Sequence, residues 1–147
     1  MENSKRNLKS MSVLILVLAA ISFVRVILNA MLPEFTPDQL PAGATEGVVL
    51  ASRIVMCVFG LVLLIPQIYV GTKGFKISNG SASFTKAPVV WATILAILSA
   101  ISLISPISGL IQNGVTVGHV LELADFALDV VVYFVYIKYA NEVLKAA

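Results

Sequence analysis

The chain has 147 residues, 59% of them hydrophobic and only 12% charged, with a formal net charge of +2. Soluble domains carry about 25% charged residues, so this composition excludes an ordinary water-exposed fold and points to long apolar runs in a bilayer. The basic residues form no stripe interleaved with aromatics, which argues against nucleic acid. A single cysteine, Cys57, with a single histidine, His119, rules out an internal disulfide and disfavours a soft-metal site.

Met11–Met31 reads as the first membrane span, behind a tail carrying Lys5, Arg6 and Lys9. The basic start and apolar centre have the form of a signal peptide. The run is long, however, Arg25 interrupts its later half, and further apolar segments follow, so it reads as a retained signal anchor. The connection PEFTPDQLPAGATE brings Glu34, Asp38 and Glu46 with no basic residue, and Pro33, Pro37 and Pro41 cannot continue a helix.

Gly47–Val70 is the second span and contains Arg53. Gly71 and Gly74 are expected to end it, and Asn79-Gly80 marks a turn in a loop that carries Lys73, Lys76 and Lys86. The third span covers 87–111, with Pro88 in its first turn and Trp91 as an interfacial anchor. Ala92, Ala96, Ser99, Ser102 and Ser105 make a small face suited to close helix approach. Pro66 and Pro106 each remove a backbone bond and are expected to bend their helices. After Asn113-Gly114, the fourth span runs Val117–Tyr139, with Tyr133, Tyr136 and Tyr139 read as interfacial rings at its inner end. Each segment is near the ~20 residues that cross ~30 Å of hydrocarbon.

Basic residues therefore gather in the amino tail, the central loop and the carboxyl end, and the positive-inside rule places all three in the cytoplasm. The predicted fold is an all-α integral membrane protein: one domain over residues 1–147, with four transmembrane helices in an antiparallel bundle. It is multi-pass in the cell membrane, with both termini cytoplasmic.

Glu122, Asp125 and Asp129 stand at i, i+3 and i+7 and share one helical face. At ~1.5 Å rise per residue, Arg25, Arg53, Glu122 and Asp125 all fall in the outer half of the membrane, with Asp129 near its middle. Asn29, one turn after Arg25, joins the same face. An unpaired charge at the bilayer centre costs at least ~2.5–3.5 kcal/mol, so these groups are expected to face inward and pair. Two arginines against three acids leave one carboxylate over, expected to be Asp129, which is then either reached by water or protonated.

The stretch IPQIYVGTKGFKISNGSAS, residues 65–83, loosely resembles the proline–glutamine motif of PQ-loop transporters such as the SWEET sugar carriers. The resemblance implies that Pro66 is a helix hinge and Gln67 a substrate-facing amide. It departs from that family in having no second proline–glutamine pair and in predicting four spans where the family uses three-helix units.

There is no HExxH, no cysteine pair, and no histidine base beside the serines of span three, so no enzyme activity, cofactor or metal is expected. The functional expectation is a small polytopic membrane protein whose charged cluster binds or transports a small polar or cationic solute, or a proton. Its lining would be Arg25, Asn29, Arg53, Gln67, Glu122, Asp125 and Asp129. The alternative is a non-catalytic structural or regulatory subunit of a membrane complex. Membrane lipids, a homo-oligomer or a partner subunit are the expected associations.

Overall fold

The structure is a computed structural model. It describes residues 2–31, 43, 45–83 and 85–146, without the side chains at 29 and 113. Most of the proline-rich acidic connection, including Pro33, Glu34, Pro37, Asp38 and Pro41, lies outside the described residues.

Every regular element described is a helix: α1 (Glu2–Met31), α2 (Glu46–Ser78), α3 (Ala87–Ser102), α4 (Ile104–Asn113) and α5 (Val117–Ala146). Three helical segments are long and apolar enough to cross a membrane: Glu2–Leu28, Glu46–Ser78 and Ala87–Gln112. α5 matches them in length, but Glu122, Asp125 and Asp129 all fall in its first half.

The helices outrun the spans read from hydropathy. α1 already begins at Glu2 rather than near Met11, and α5 continues to Ala146 past Tyr139. Neither the basic tail nor the ANEVLKA end contains a proline or glycine to stop a helix, and their Lys, Arg, Glu and Leu residues are good helix formers. α2 is 33 residues long, which at ~1.5 Å each is about 50 Å.

Gly71 and Gly74 do not end α2. The helix passes through both, and both are buried. A β-carbon on Gly71 would stand 2.7 Å from Leu16 Cγ and 3.2 Å from the Ser12 carbonyl oxygen. One on Gly74 would meet Ser12 Oγ and stand 2.6 Å from Tyr136 Cε2. The missing side chains are what allow α1 to press against α2 and the Tyr136 ring of α5 to reach it, and this packing outweighs the low helix propensity of glycine. α2 stops at Asn79, where Gly80 takes φ +73°, the left-handed conformation favoured by glycine.

The third segment breaks at Leu103. Pro106 has no N–H to offer the Ser102 carbonyl, and its ring crowds that turn. The Leu103 amide instead shares the carbonyls of Ser99 and Ala100 at 3.2 and 3.3 Å. Pro66, by contrast, sits in an unbroken α2.

Around the molecule α1 packs on α2, α2 on α3, α3 on α5, and α5 on α1. Val26 faces Gly60 while Leu16 faces Gly71, so residue numbers rise along α1 as they fall along α2. Ser4 bonds Glu142 at 2.7 Å and Arg25 meets Asp125, which gives α1 and α5 the same opposed register.

The core lies at one end. Its buried members are Leu8, Ile15 and Leu18 of α1, Val70 and Ile77 of α2, Ala92 and Leu95 of α3, and a run from Val132 to Val143 on α5. Among the described residues, 20–31, 46–63 and 117–128 contain no buried hydrophobic side chain. Val55, Met56, Phe59, Val62 and Ile65 of α2 and Phe134 of α5 are exposed. An apolar exterior this extensive is a liability in water and a requirement in lipid.

Tyr133 and Tyr136 are core residues, not interfacial anchors. Tyr136 is 1% exposed, its ring fills the notch at Gly74, and its hydroxyl donates to the Val70 carbonyl at 3.2 Å. A tyrosine whose hydroxyl finds an acceptor can be buried at little cost. Tyr136→Phe keeps the ring and loses the bond, so it is expected to lower stability by about 1 kcal/mol, measurable by thermal unfolding in micelles.

Candidate functional site

The polar groups collect just beyond the packed core. The 3.6-residue repeat of α5 puts Glu122, Asp125 and Asp129 on one face, and that face receives Arg25 from α1. Arg25 donates from Nη1 to Asp125 Oδ2, and its Nη2 lies 3.7 Å from Glu122 Oε1. The pair is partly open: the Arg25, Glu122 and Asp125 side chains are 39%, 25% and 30% exposed. One arginine therefore spans two carboxylates on successive turns, a use suited to the forked guanidinium.

Asp129 is different. One turn nearer the core, it is only 9% exposed. Among the described residues it makes neither an ion pair nor a side-chain hydrogen bond. Tyr133, one turn further along the same face, is almost fully buried.

Gln67 lies beside Tyr133. Its Oε1 is buried and receives no hydrogen bond, although the amide lies against the Tyr133 hydroxyl, which can donate. The sequence reading put Gln67 at the inner end of a span closing at Val70. Because α2 continues to Ser78, Gln67 instead sits within the helix at the level of the core. Asp129 and Tyr133 thus continue the α5 face beneath the Arg25 pair, with Gln67 of α2 beside Tyr133.

Arg53 does not join this set. Its Nε is buried without an acceptor, and among the described residues it makes no ion pair. Val26 opposite Gly60 places Arg25 near the level of Leu61, so Arg53 stands about 12 Å further along α2 at ~1.5 Å per residue. The matching depth inferred from sequence rested on a span of 47–70. With α2 extending to Ser78, its middle moves toward Val62 and Arg53 moves outward. Asn29 is in the last turn of α1, and its side chain lies outside the described residues.

His119 belongs to the contact between α4 and α5. Its Nδ1 is 2.8 Å from Thr116 Oγ1, and its ring covers Gly109. Among the described residues no three of His, Cys, Asp and Glu converge on a possible metal position. A surface groove edged by Arg6, Lys9, Met11 and Leu14 runs along α1 toward the opposite end of the molecule from Arg25.

Tyr133 is the site residue that the sequence reading misassigned. Its signal was available: it follows Asp129 by four residues and so continues the acidic face.

Comparison with protein-family models, with curated proteins and with solved structures found no match to this chain.

Proposed function

We propose that the chain is a multi-pass membrane protein that binds, and in its full assembly moves, a small polar or cationic solute. Its four long helices cross the cell membrane as an antiparallel bundle with both termini in the cytoplasm. The solute enters from the outer face, where Arg25, Glu122 and Asp125 line an opening above Asp129. Membrane crossing is supported by three apolar helices of spanning length and by the exposed apolar residues on α2 and α5. The orientation is supported by the lysines and arginines at one end. α5 crosses despite its acids because α1 supplies a counter-charge.

One observation carries the solute reading: a buried carboxylate, Asp129, which makes no ion pair among the described residues, set directly beneath a paired cluster in the loosely packed half. A purely structural network would saturate its members. The second reading, a structural or regulatory subunit, is favoured by Arg25, which is engaged by two acids of α5 and so ties α1 to it.

Cysteine labelling tests both topology and opening. With Cys57 replaced by alanine, a single cysteine at Asp129 should react with a small membrane-impermeant thiol reagent applied to intact cells. A cysteine at Gly43 should react from the same side, and cysteines at Ser10 or Lys145 should not. An inert Asp129→Cys with the others as expected would favour the structural subunit. Labelling of Ser10→Cys from outside would reverse the orientation.

A further inference from the structure

The groove on α1 lies apart from the Arg25 cluster, at the end of the molecule where Lys9 meets Phe75. Its volume is about 550 Å³, within the ~300–1,000 Å³ of small-molecule sites, and it is open along one side. The lining changes character along the helix. Arg6, Lys9 and Ser10 stand at one end, and every lining residue beyond them, from Met11 to Val17, is apolar. At ~1.5 Å rise per residue the lining extends about 16 Å, against about 15 Å for half of a ~30 Å hydrocarbon layer. The change falls at Met11, where the first apolar run begins. In the orientation proposed above, the polar end therefore lies at headgroup level and the rest lies inside the inner leaflet.

The polar end is a pair of cations. Among the described residues no acid lines the groove, and neither Arg6 nor Lys9 makes an ion pair. Of the acids at this end, Glu2 pairs with neither, and Glu142 accepts the Ser4 hydroxyl at 2.7 Å. Lys9 Nζ lies 5.4 Å from the centre of the Phe75 ring, a contact that steadies the ammonium without cancelling its charge. Ser10 Oγ donates to the Arg6 carbonyl at 3.2 Å, so its proton is already used and the two cations carry any recognition.

Two cations one turn apart above an apolar slot match an anion with a hydrocarbon tail. A free anion occupies the polar end and leaves the slot bare. A zwitterionic lipid fills the slot but brings its own cation to Arg6 and Lys9. We propose that the α1 groove seats one phospholipid of net negative charge, its phosphate at Arg6 and Lys9 and an acyl chain along Met11, Leu14 and Val17. The guanidinium fork of Arg6 can serve two phosphate oxygens, while Lys9 acts as a point charge. The anionic lipids of the cytoplasmic leaflet supply the ligand. The inference is independent of the solute reading and uses only membrane crossing, with the start of α1 at the inner face.

The test uses the full chain purified in a non-ionic detergent. The probes are phosphatidylglycerol, phosphatidylcholine with the same acyl chains, and inorganic phosphate. Native mass spectrometry counts the lipid retained, and thermal unfolding reads its effect. Phosphatidylglycerol should be retained at one per chain and raise the unfolding temperature, and the other two should do neither. Arg6→Gln and Lys9→Gln should each weaken retention about five-fold, the worth of one basic residue at an anionic surface. Val13→Trp, at a half-exposed position of the groove, fills the slot with both cations intact and should abolish retention. Val58→Trp, exposed on α2, and Lys145→Gln, at the same end but outside the groove, should leave it unchanged. Equal retention of the two lipids overturns the proposal. So does phosphatidylglycerol binding that survives Arg6→Gln with Lys9→Gln, which would make the contact apolar only. Binding that survives Val13→Trp overturns it as well, by showing a diffuse attraction to the basic end. Inorganic phosphate matching phosphatidylglycerol would replace the lipid seat with a free-anion site. Micelles have no sides, so these outcomes stand apart from the orientation, which labelling of Ser10→Cys tests.

Discussion

Adding a single methyl group at Gly74 is expected to destabilise the protein by about 1–3 kcal/mol, the ordinary cost of overpacking a close-packed interior. The new carbon would stand 2.6 Å from Tyr136 Cε2, 2.7 Å from the Tyr136 hydroxyl oxygen and against Ser12 Oγ. None of these neighbours yields easily. The Tyr136 ring is held by its bond to Val70, and Ser12 Oγ is bonded to the Leu8 carbonyl at 2.7 Å. Better helix propensity offsets only ~1 kcal/mol of the clash. Gly74→Leu has no room at all and should prevent native packing of α2 against α1 and α5.

Two comparisons isolate the cause. Gly47→Ala, where a β-carbon meets nothing within 4 Å, should be neutral or slightly stabilising by propensity alone. In a Tyr136→Ala background the Gly74 methyl should cost less than in the native chain, because the ring it strikes is gone; neighbouring substitutions are non-additive in this way. Reversible unfolding in mixed micelles measures the native chain and each of these variants. Equal costs for Gly74→Ala in both backgrounds would mean that Tyr136 does not limit the approach of the helices.

Replacing Arg25 by glutamine should be comparably damaging, by about 2.5–3.5 kcal/mol, the insertion cost of one unpaired charged side chain. The loss comes less from the missing bonds than from what remains: Glu122 and Asp125 without their counter-charge, above an Asp129 that makes no ion pair among the described residues. Breaking one side of an ion pair is costlier than removing both sides. Arg25→Gln combined with Asp125→Asn should therefore recover part of the stability. Arg25→Lys should retain one ion pair and lose the other, since an ammonium cannot reproduce the fork that spans Glu122 and Asp125. The partial exposure of the pair admits screening, so the cost should shrink with added salt. An Arg25→Gln protein as stable as the native chain would mean that the carboxylates are solvated independently of α1.

The same cluster separates what is legible in one dimension from what is not. The helical class, the apolar stretches and the common face of Glu122, Asp125 and Asp129 are all readable from the chain, because each depends on spacing within one segment. Helical periodicity is local, so a reader needs no neighbour to place those acids together. The charge contrast among the connections is equally local. So is the break near Pro106, which follows from a missing N–H.

Partnership is a different matter. Arg25 and Arg53 look equivalent in the sequence, each a lone cation in an apolar run. Only the register of α1 against α2 and α5 selects Arg25 for the acids and leaves Arg53 about 12 Å away. Gly71 and Gly74 have the local character of helix ends, yet contact with Leu16, Ser12 and Tyr136 makes them the closest points of a longer helix. Tyr133 and Tyr136 have the local character of interfacial rings, yet they fill the centre of the core. Sequence by itself determined which residues share a helical face, since that needs only the rise and turn of one helix. Tertiary structure alone decided which faces meet and at what level, because that depends on the sizes of side chains brought together from distant parts of the chain.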